Sequence, residues 1–274
     1  MHPILLHIGK FTLHTYGVLL MVGFALGLWR TLAAVKRYKD DGITQQDVLD
    51  IAVWVLIGGI LFARVFFVFL DPNWRDLLPQ FLAVWNGGIS FDGALFGVIL
   101  AIVVFCRMRK IPFLAMTDLI APSAVLAYAI GRVGCFFNGC CYGQPTNLPW
   151  GVRFYDSDDG GALTPPSHPT QLYSTALSII LFGFMVWRER TGRAFRGELF
   201  CWYLMGSAIE RFIMEIWRAG ATSDMVRGTP FTTAQFFCFA LFAVGLGAWF
   251  FLRRSAQPKT AAVPAPSAPT ASVQ

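Results

Sequence analysis

The chain has 274 residues, of which 55% are hydrophobic and only 14% charged, with a net charge of +6 and a mean hydropathy of +0.55. Ordinary soluble domains carry about a quarter charged residues, so this composition excludes that class and makes lipid the main solvent. The positive charge does not signal nucleic acid, because the basic residues gather at the ends of apolar runs, where membrane proteins place them.

Residues 1–15 lack the basic start, apolar run and cleavage site of a signal peptide, so the first long apolar segment is expected to remain as a spanning helix. Seven apolar segments follow, each close to the ~20 residues a helical span requires. The first covers about residues 14–35 and ends in Lys36, Arg37 and Lys39. The second covers about 49–70 and is stopped by Asp71, Pro72 and Asn73, beyond which Trp74 and Trp85 suit the membrane interface. The third opens near Phe91 and ends at Arg107, Arg109 and Lys110. The fourth rises from about Leu114 to a glycine-rich turn, and a loop rich in Pro, Gly and Asp occupies about 144–167. The fifth, about 170–187, ends in Arg188, Arg190, Arg193 and Arg196. The sixth covers about 197–217, and the seventh, about 231–252, ends in Arg253 and Arg254.

The basic clusters thus follow segments one, three, five and seven, while the intervening loops hold mainly Arg75, Arg153, Arg218 and Arg227. The positive-inside rule then sets the amino terminus outside and the carboxy terminus in the cytoplasm. The expected fold is an all-α integral membrane protein of about seven transmembrane helices, with one polytopic domain over 1–254. An extracytoplasmic loop region falls at about 137–169. Residues 255–274 are mostly Ala, Pro, Ser and Thr and are expected to form a disordered cytoplasmic tail. No internal repeat is visible, which argues against an inverted-repeat transporter.

One stretch stands out: Gly131-Arg132-Val133-Gly134-Cys135-Phe136-Phe137-Asn138-Gly139-Cys140-Cys141-Tyr142-Gly143. Its glycines are expected to break the helix and let the backbone approach a ligand. Arginine cannot shed its proton, so Arg132 at the end of an apolar run points to an anion, and lipid phosphate is the anion most available there. A snorkelling arginine or a structural salt bridge is the alternative. Other charges reach the same depth from separate segments. Arg64 lies inside segment two, and Arg211, Glu215 and Arg218 follow an i, i+4, i+7 pattern on one face of segment six. Tyr16 and Asp92 open segments one and three, Glu210 lies on a neighbouring face of segment six, and Asp118 sits low in segment four. Arginines outnumber carboxylates at the outer level, and a bound anion would supply the missing charge. An ion-pair network that simply closes the bundle is the competing account.

Of the six cysteines, Cys106, Cys201 and Cys238 read as small hydrophobes. Cys135, Cys140 and Cys141 cluster in the glycine-rich stretch, but no further ligands at metal-binding spacing accompany them, so no metal is expected. A disulfide within the cluster would require an oxidising compartment.

Five motifs resemble those of the prolipoprotein diacylglyceryl transferase family, in order and across about residues 13–254. The 131–143 stretch is similar to the family's Gly-Arg-x-Gly-Asn-Phe-x-Asn-Gly-Glu-x-x-Gly signature, keeping Arg132, Asn138 and Gly143. His14-Thr15-Tyr16-Gly17 resembles its His-x-Tyr-Gly, and Gly87-Gly88-Ile89-Ser90-Phe91-Asp92-Gly93 its Gly-Gly-x-Ser-Phe-His-Gly. His168-Pro169-Thr170-Gln171-Leu172-Tyr173 and Arg211-Phe212-Ile213-Met214-Glu215-Ile216-Trp217-Arg218 match two more. The chain departs from the family at four positions. Asp92 replaces the histidine proposed as proton acceptor, Cys135 and Cys140 replace Asn and Glu, and Ser174 stands where Glu is usual. The resemblance implies transfer of the diacylglyceryl group of phosphatidylglycerol to the lipobox cysteine of a prolipoprotein, at the bacterial cytoplasmic membrane, with glycerol phosphate leaving. The phosphodiester is itself the leaving group, so no cofactor is implied. On this reading Arg132 and Arg211 hold phosphate, and Asp92 or His168 takes the thiol proton. Tyr16, Asn138, Gly143, Arg64, Glu215 and Arg218 shape the lipid site. Membrane lipids and the lipobox segment are the expected partners. A non-catalytic phospholipid-binding protein, or a transferase with another thiol acceptor, would use the same arginines.

Overall fold

A computed structural model describes residues 4–8, 11–71, 74–81, 88, 90–156, 162–218, 225–226 and 229–256. The tail from residue 257, the helix stop at Pro72 and Asn73, Trp85, Gly87, Ile89 and Arg227 lie outside the described residues.

Two short strands, β1 (Ile4–Ile8) and β2 (Phe11–His14), pair antiparallel and lead directly into helix α1 (Thr15–Ala34). A tight 3-10 turn follows α1, and helix α2 (Gln45–Phe69) begins four residues before its apolar run. The early start has a cause: Thr44 Oγ1 accepts from Asp47 N at 3.2 Å while Asp47 Oδ2 accepts from Thr44 N at 3.0 Å, a reciprocal cap. A short helix α3 (Trp74–Leu77) precedes α4 (Phe91–Arg109), which packs along α2. Small residues allow that contact. A Cβ on Gly97 would lie 2.1 Å from the Gly58 carbonyl oxygen, and one on Gly93 would lie 2.3 Å from that of Phe62. The two backbones therefore touch, as in membrane helix pairs built on small residues one turn apart.

Helix α5 (Phe113–Asn138) is the most buried of the long apolar helices, and α1, α6 and α7 pack against it. Its length corrects one expectation. Gly131 and Gly134 do not break the helix, which continues to Asn138 and stops at Gly139, at φ 77°. Glycine ends a helix where positive φ is required. Gly134 instead provides room, since a Cβ there would lie 3.1 Å from Tyr16 Cδ2. The loop beyond α5 carries a second small hairpin, β3 (Tyr155–Asp156) with β4 (Ala162–Leu163), so the all-α expectation misses two short antiparallel pairs.

Helices α6 (Thr170–Thr191), α7 (Glu198–Glu215) and α8 (Thr233–Ser255) complete the bundle. Among the described residues six helices are long and apolar enough to cross a membrane: α1, α2, α4, α5, α6 and α8. The chain is a helical, multi-pass membrane protein. Helix α7 occupies the place of the sixth apolar segment, but Glu198, Glu210, Arg211 and Glu215 lower its apolar character. Its start is held by Asp118, fully buried on α5, whose carboxylate accepts from Gly197 N at 2.7 Å and Phe200 N at 2.9 Å.

Ion pairs gather at that end of the bundle. Asp118 also pairs with Arg193 at 3.2 Å, and Asp41 pairs with Arg193 and with Arg196. Buried Glu189 accepts from Arg30 at 2.5 Å and from the Tyr38 hydroxyl at 3.0 Å. Carboxylates left unpaired at such depth would cost several kcal/mol each, roughly. Bundle-closing salt bridges therefore exist, but they lie at the end opposite Gly139.

Candidate active site

At the Gly139 end, three segments of chain knit together. Gly143 N donates to His168 O at 2.9 Å, His168 N to Gln144 O at 3.0 Å, and Gln144 N to Trp217 O at 2.8 Å. Gly143 and Arg218 face each other as an antiparallel bridge. Gly143 sits where no side chain fits: a Cβ would lie 2.4 Å from the Trp217 carbonyl oxygen and 2.7 Å from Thr170 Cγ2. Two residues at the start of α6 complete the knot. Fully buried Gln171 donates from Nε2 to Cys140 O at 2.7 Å, and Thr170 Oγ1 donates to Cys141 O at 2.9 Å. These bonds give the His-Pro-Thr-Gln motif a structural meaning that its sequence does not reveal.

The knot aligns one end each of α5, α6 and α7 around a narrow cavity. Arg132, Arg211 and Arg218 line it, with Cys141, Thr170, Ser174 and Met214. Arg211 forms an i, i+4 pair with buried Glu215 at 2.6 Å. Arg218 lies one turn beyond the end of α7 and still faces the same space, so the expected spacing holds although the helix does not reach it. Arg132 donates from Nε to Tyr128 Oη at 2.8 Å, with its guanidinium 5.0 Å from that ring's centroid. Among the described residues no carboxylate pairs with Arg132 or Arg218, so positive charge is in excess here.

Behind the arginines lies a polar network that the sequence does not predict. Ser174 Oγ lies 3.4 Å from Tyr128 Oη and donates to Glu210, whose second oxygen accepts from Ser178 Oγ at 3.1 Å. Glu210 and Ser174 are both buried. The i, i+4 spacing of Tyr128 and Arg132 on one helix was the available signal. Nothing in the sequence linked Glu210 to Ser174, because the two stand on different helices.

The other expected residues are placed as follows. Tyr16 is exposed at the start of α1 against Gly134, within electrostatic reach of Arg132. Asn138 ends α5 and is exposed. His168 lies outside the arginine cavity and lines an adjoining, wider apolar one, with Trp150, Tyr173, Leu177, Met214 and Trp217. Its Nδ1 lies 3.3 Å from Tyr173 Oη, and Met214 separates the two cavities. Two expectations part company with the geometry. Buried Arg64 donates to Phe81 O at 2.9 Å and Gly88 O at 2.8 Å and does not line the cavity. It closes the chain between α2 and α4. Asp92 is exposed in the first turn of α4, where the helix dipole favours a carboxylate, and it does not line the cavity either.

The three clustered cysteines meet at the cavity's edge. Their sulfurs all lie within 4.8 Å of one another. Hydrogen bonds from Cys135 and Cys140, followed by the charges of Arg132 and Arg218, hold the Cys141 thiol below the usual cysteine range.

Fold and site together define a multi-pass helical membrane protein with an arginine-lined cavity beside an apolar one. Residues 3–251 match the family model described as prolipoprotein diacylglyceryl transferase, and the chain belongs to that family. It is 32% identical over 268 residues to the phosphatidylglycerol–prolipoprotein diacylglyceryl transferase of Acaryochloris marina, covering 94% of each chain. It is 33% identical to the Gloeobacter violaceus protein of that name, covering 93% of this chain and 94% of the other. It is 31% identical to the one from Bordetella parapertussis, covering 92% and 95%.

Proposed function

We propose that this chain moves the diacylglyceryl group of phosphatidylglycerol onto the lipobox cysteine of prolipoproteins in the bacterial cytoplasmic membrane. One observation carries the reading: three arginines face a single cavity, and among the described residues only Arg211 has a carboxylate partner. Such a cavity favours a phosphate, and phosphate is the group that leaves. The acceptor sulfur attacks the glyceryl carbon bonded to the phosphate oxygen. A C–S bond forms, the C–O bond breaks, and the electron pair departs on glycerol phosphate. Arg132, Arg211 and Arg218 stabilise that charge as it develops. Glu215 orients Arg211, and Tyr128 orients Arg132.

The thiol must lose its proton, since only a few per cent is thiolate near neutrality. We assign that proton to His168 rather than Asp92, because His168 borders the apolar cavity that adjoins the arginines. That cavity would take acyl chains or the apolar side chains of the lipobox. Tyr16 and Asn138 would border the headgroup, and Gly143 would set the backbone beneath it.

The test is a cell-free reaction of the purified chain with labelled phosphatidylglycerol, given a lipobox peptide or unrelated thiols. Label on the lipobox peptide alone is the expected result. Lipid binding with no transfer would make the chain a binding protein, and equal labelling of any thiol would remove the lipobox assignment.

The seven-span arrangement belongs to the same proposal, with α7 crossing as a charged helix shielded by its neighbours. A reporter fused after Arg254 should read cytoplasmic. One inserted near Asp158, outside the described residues, should read extracytoplasmic. A cytoplasmic signal from the second site would invert the scheme.

A further inference from the structure

We propose that Cys135, Cys140 and Cys141 form a three-sulfur site for a soft cation, and that cuprous ion is the one it fits. The sulfurs lie within 4.8 Å of one another. A trigonal site with metal–sulfur bonds of about 2.3 Å requires sulfurs about 4.0 Å apart, so closure takes thiol motions of about 1 Å or less. Side-chain rotation suffices, because the backbone is already set. Cys135 stands in the last turn of α5 and Cys140 just past its stop, with Cys140 N donating to Cys135 O at 3.2 Å. Cys141 adopts φ 62°, a left-handed conformation that L side chains rarely take. The carbonyls on either side of that strained residue are held by Gln171 and Thr170. The turn that gathers the sulfurs is therefore fastened by bonds that do not involve sulfur.

The donor set selects the ion. Thiolates favour soft cations. Among the described residues no histidine, aspartate, glutamate or fourth cysteine joins the group, whereas zinc takes four ligands in nearly all structural sites. Three sulfurs without a fourth donor suit the low coordination number of Cu(I). Charge also fits. Three thiols bind one Cu(I) with loss of three protons, leaving a net charge of −2 at the cluster. Arg132 and Arg218 share a cavity wall with Cys141 and oppose that charge. Cys141 is exposed and offers the way in.

The test uses the purified full-length chain in detergent, reduced and kept under anaerobic conditions. It is titrated with Cu(I) against a coloured cuprous chelator. One Cu(I) per chain should leave the chelator. Serine at 135, 140 or 141 should each abolish this, while Cys106→Ser, at a buried cysteine outside the cluster, should not. Bound copper should also protect the three thiols of the unaltered chain from iodoacetamide, a readout independent of any variant's folding. Copper remaining with the chelator would overturn the site, as would equal loss of binding in Cys106→Ser. Zinc bound in preference to Cu(I) would overturn the cuprous assignment. None of these measurements depends on lipid transfer.

Discussion

Arg132→Lys should reduce diacylglyceryl transfer nearly as much as Arg132→Ala, with the alanine variant at least ~100-fold slower than the unaltered chain and the lysine variant within ~10-fold of the alanine variant. Lysine keeps the charge, so a purely electrostatic role would survive the change. The geometry argues for more than charge. Arg132 lines the cavity while anchored through Nε to Tyr128 Oη at 2.8 Å, its guanidinium carbon 5.0 Å from that ring's centroid. Lysine has no equivalent of Nε and no planar fork. It cannot be held by the tyrosine and also give two parallel bonds to a phosphate. The measurement is transfer rate at matched membrane expression for the three proteins. A lysine variant near the normal rate would mean that the arginine only snorkels or balances charge.

Gly143→Ala should reduce transfer more than ~10-fold, whereas Gly183→Ala should leave it unchanged. The added methyl at 143 would meet a backbone oxygen, that of Trp217, at 2.4 Å, well inside normal contact. Backbone cannot rotate aside as a side chain can, so the 143–218 bridge must move. Overpacking of this kind costs about 1–3 kcal/mol, occasionally more. The displacement falls on Arg218 and on the segment at His168, both held by that knot. Gly183 lies on an exposed face of α6 with nothing within 4 Å of an added Cβ, and alanine favours helix there by about 1 kcal/mol. The pair separates a local steric effect from a general intolerance of altered glycines. Full activity in Gly143→Ala would show that the knot does not set the cavity. Equal loss in both variants would point to expression or insertion rather than the site.

The same contrast shows why the sequence alone does not separate the glycines of 131–143 by role. A glycine in a string looks like a helix breaker at every position. Gly139 breaks α5 because it takes φ 77°, while Gly134 stays within the helix and leaves room for Tyr16. Which role a glycine plays depends on a partner helix that local sequence does not name. Arg64 and Asp92 illustrate the same limit. Counting residues along their segments predicts for them a depth shared with the arginines of α5 and α7. Depth alone did not say that they stand on the α2–α4 pair, bonded to a loop or set in a helix's first turn.

The amino-acid sequence by itself determined the class of molecule and most of its helices. Apolar length and the alternation of basic clusters are properties of consecutive residues, and lipid enforces them wherever the helices later pack. It also determined Arg132, Arg211, Glu215 and Arg218 as one group, because α7 and its following turn keep those last three in register. Only the tertiary structure decided which helices enclose the cavity, that Glu210 reaches Ser174, that His168 belongs to the apolar side, and that three thiols meet. Those facts depend on the order of helices around the bundle. That order is set by backbone contacts at glycines and by hydrogen bonds between chain segments far apart in sequence, which no local pattern encodes.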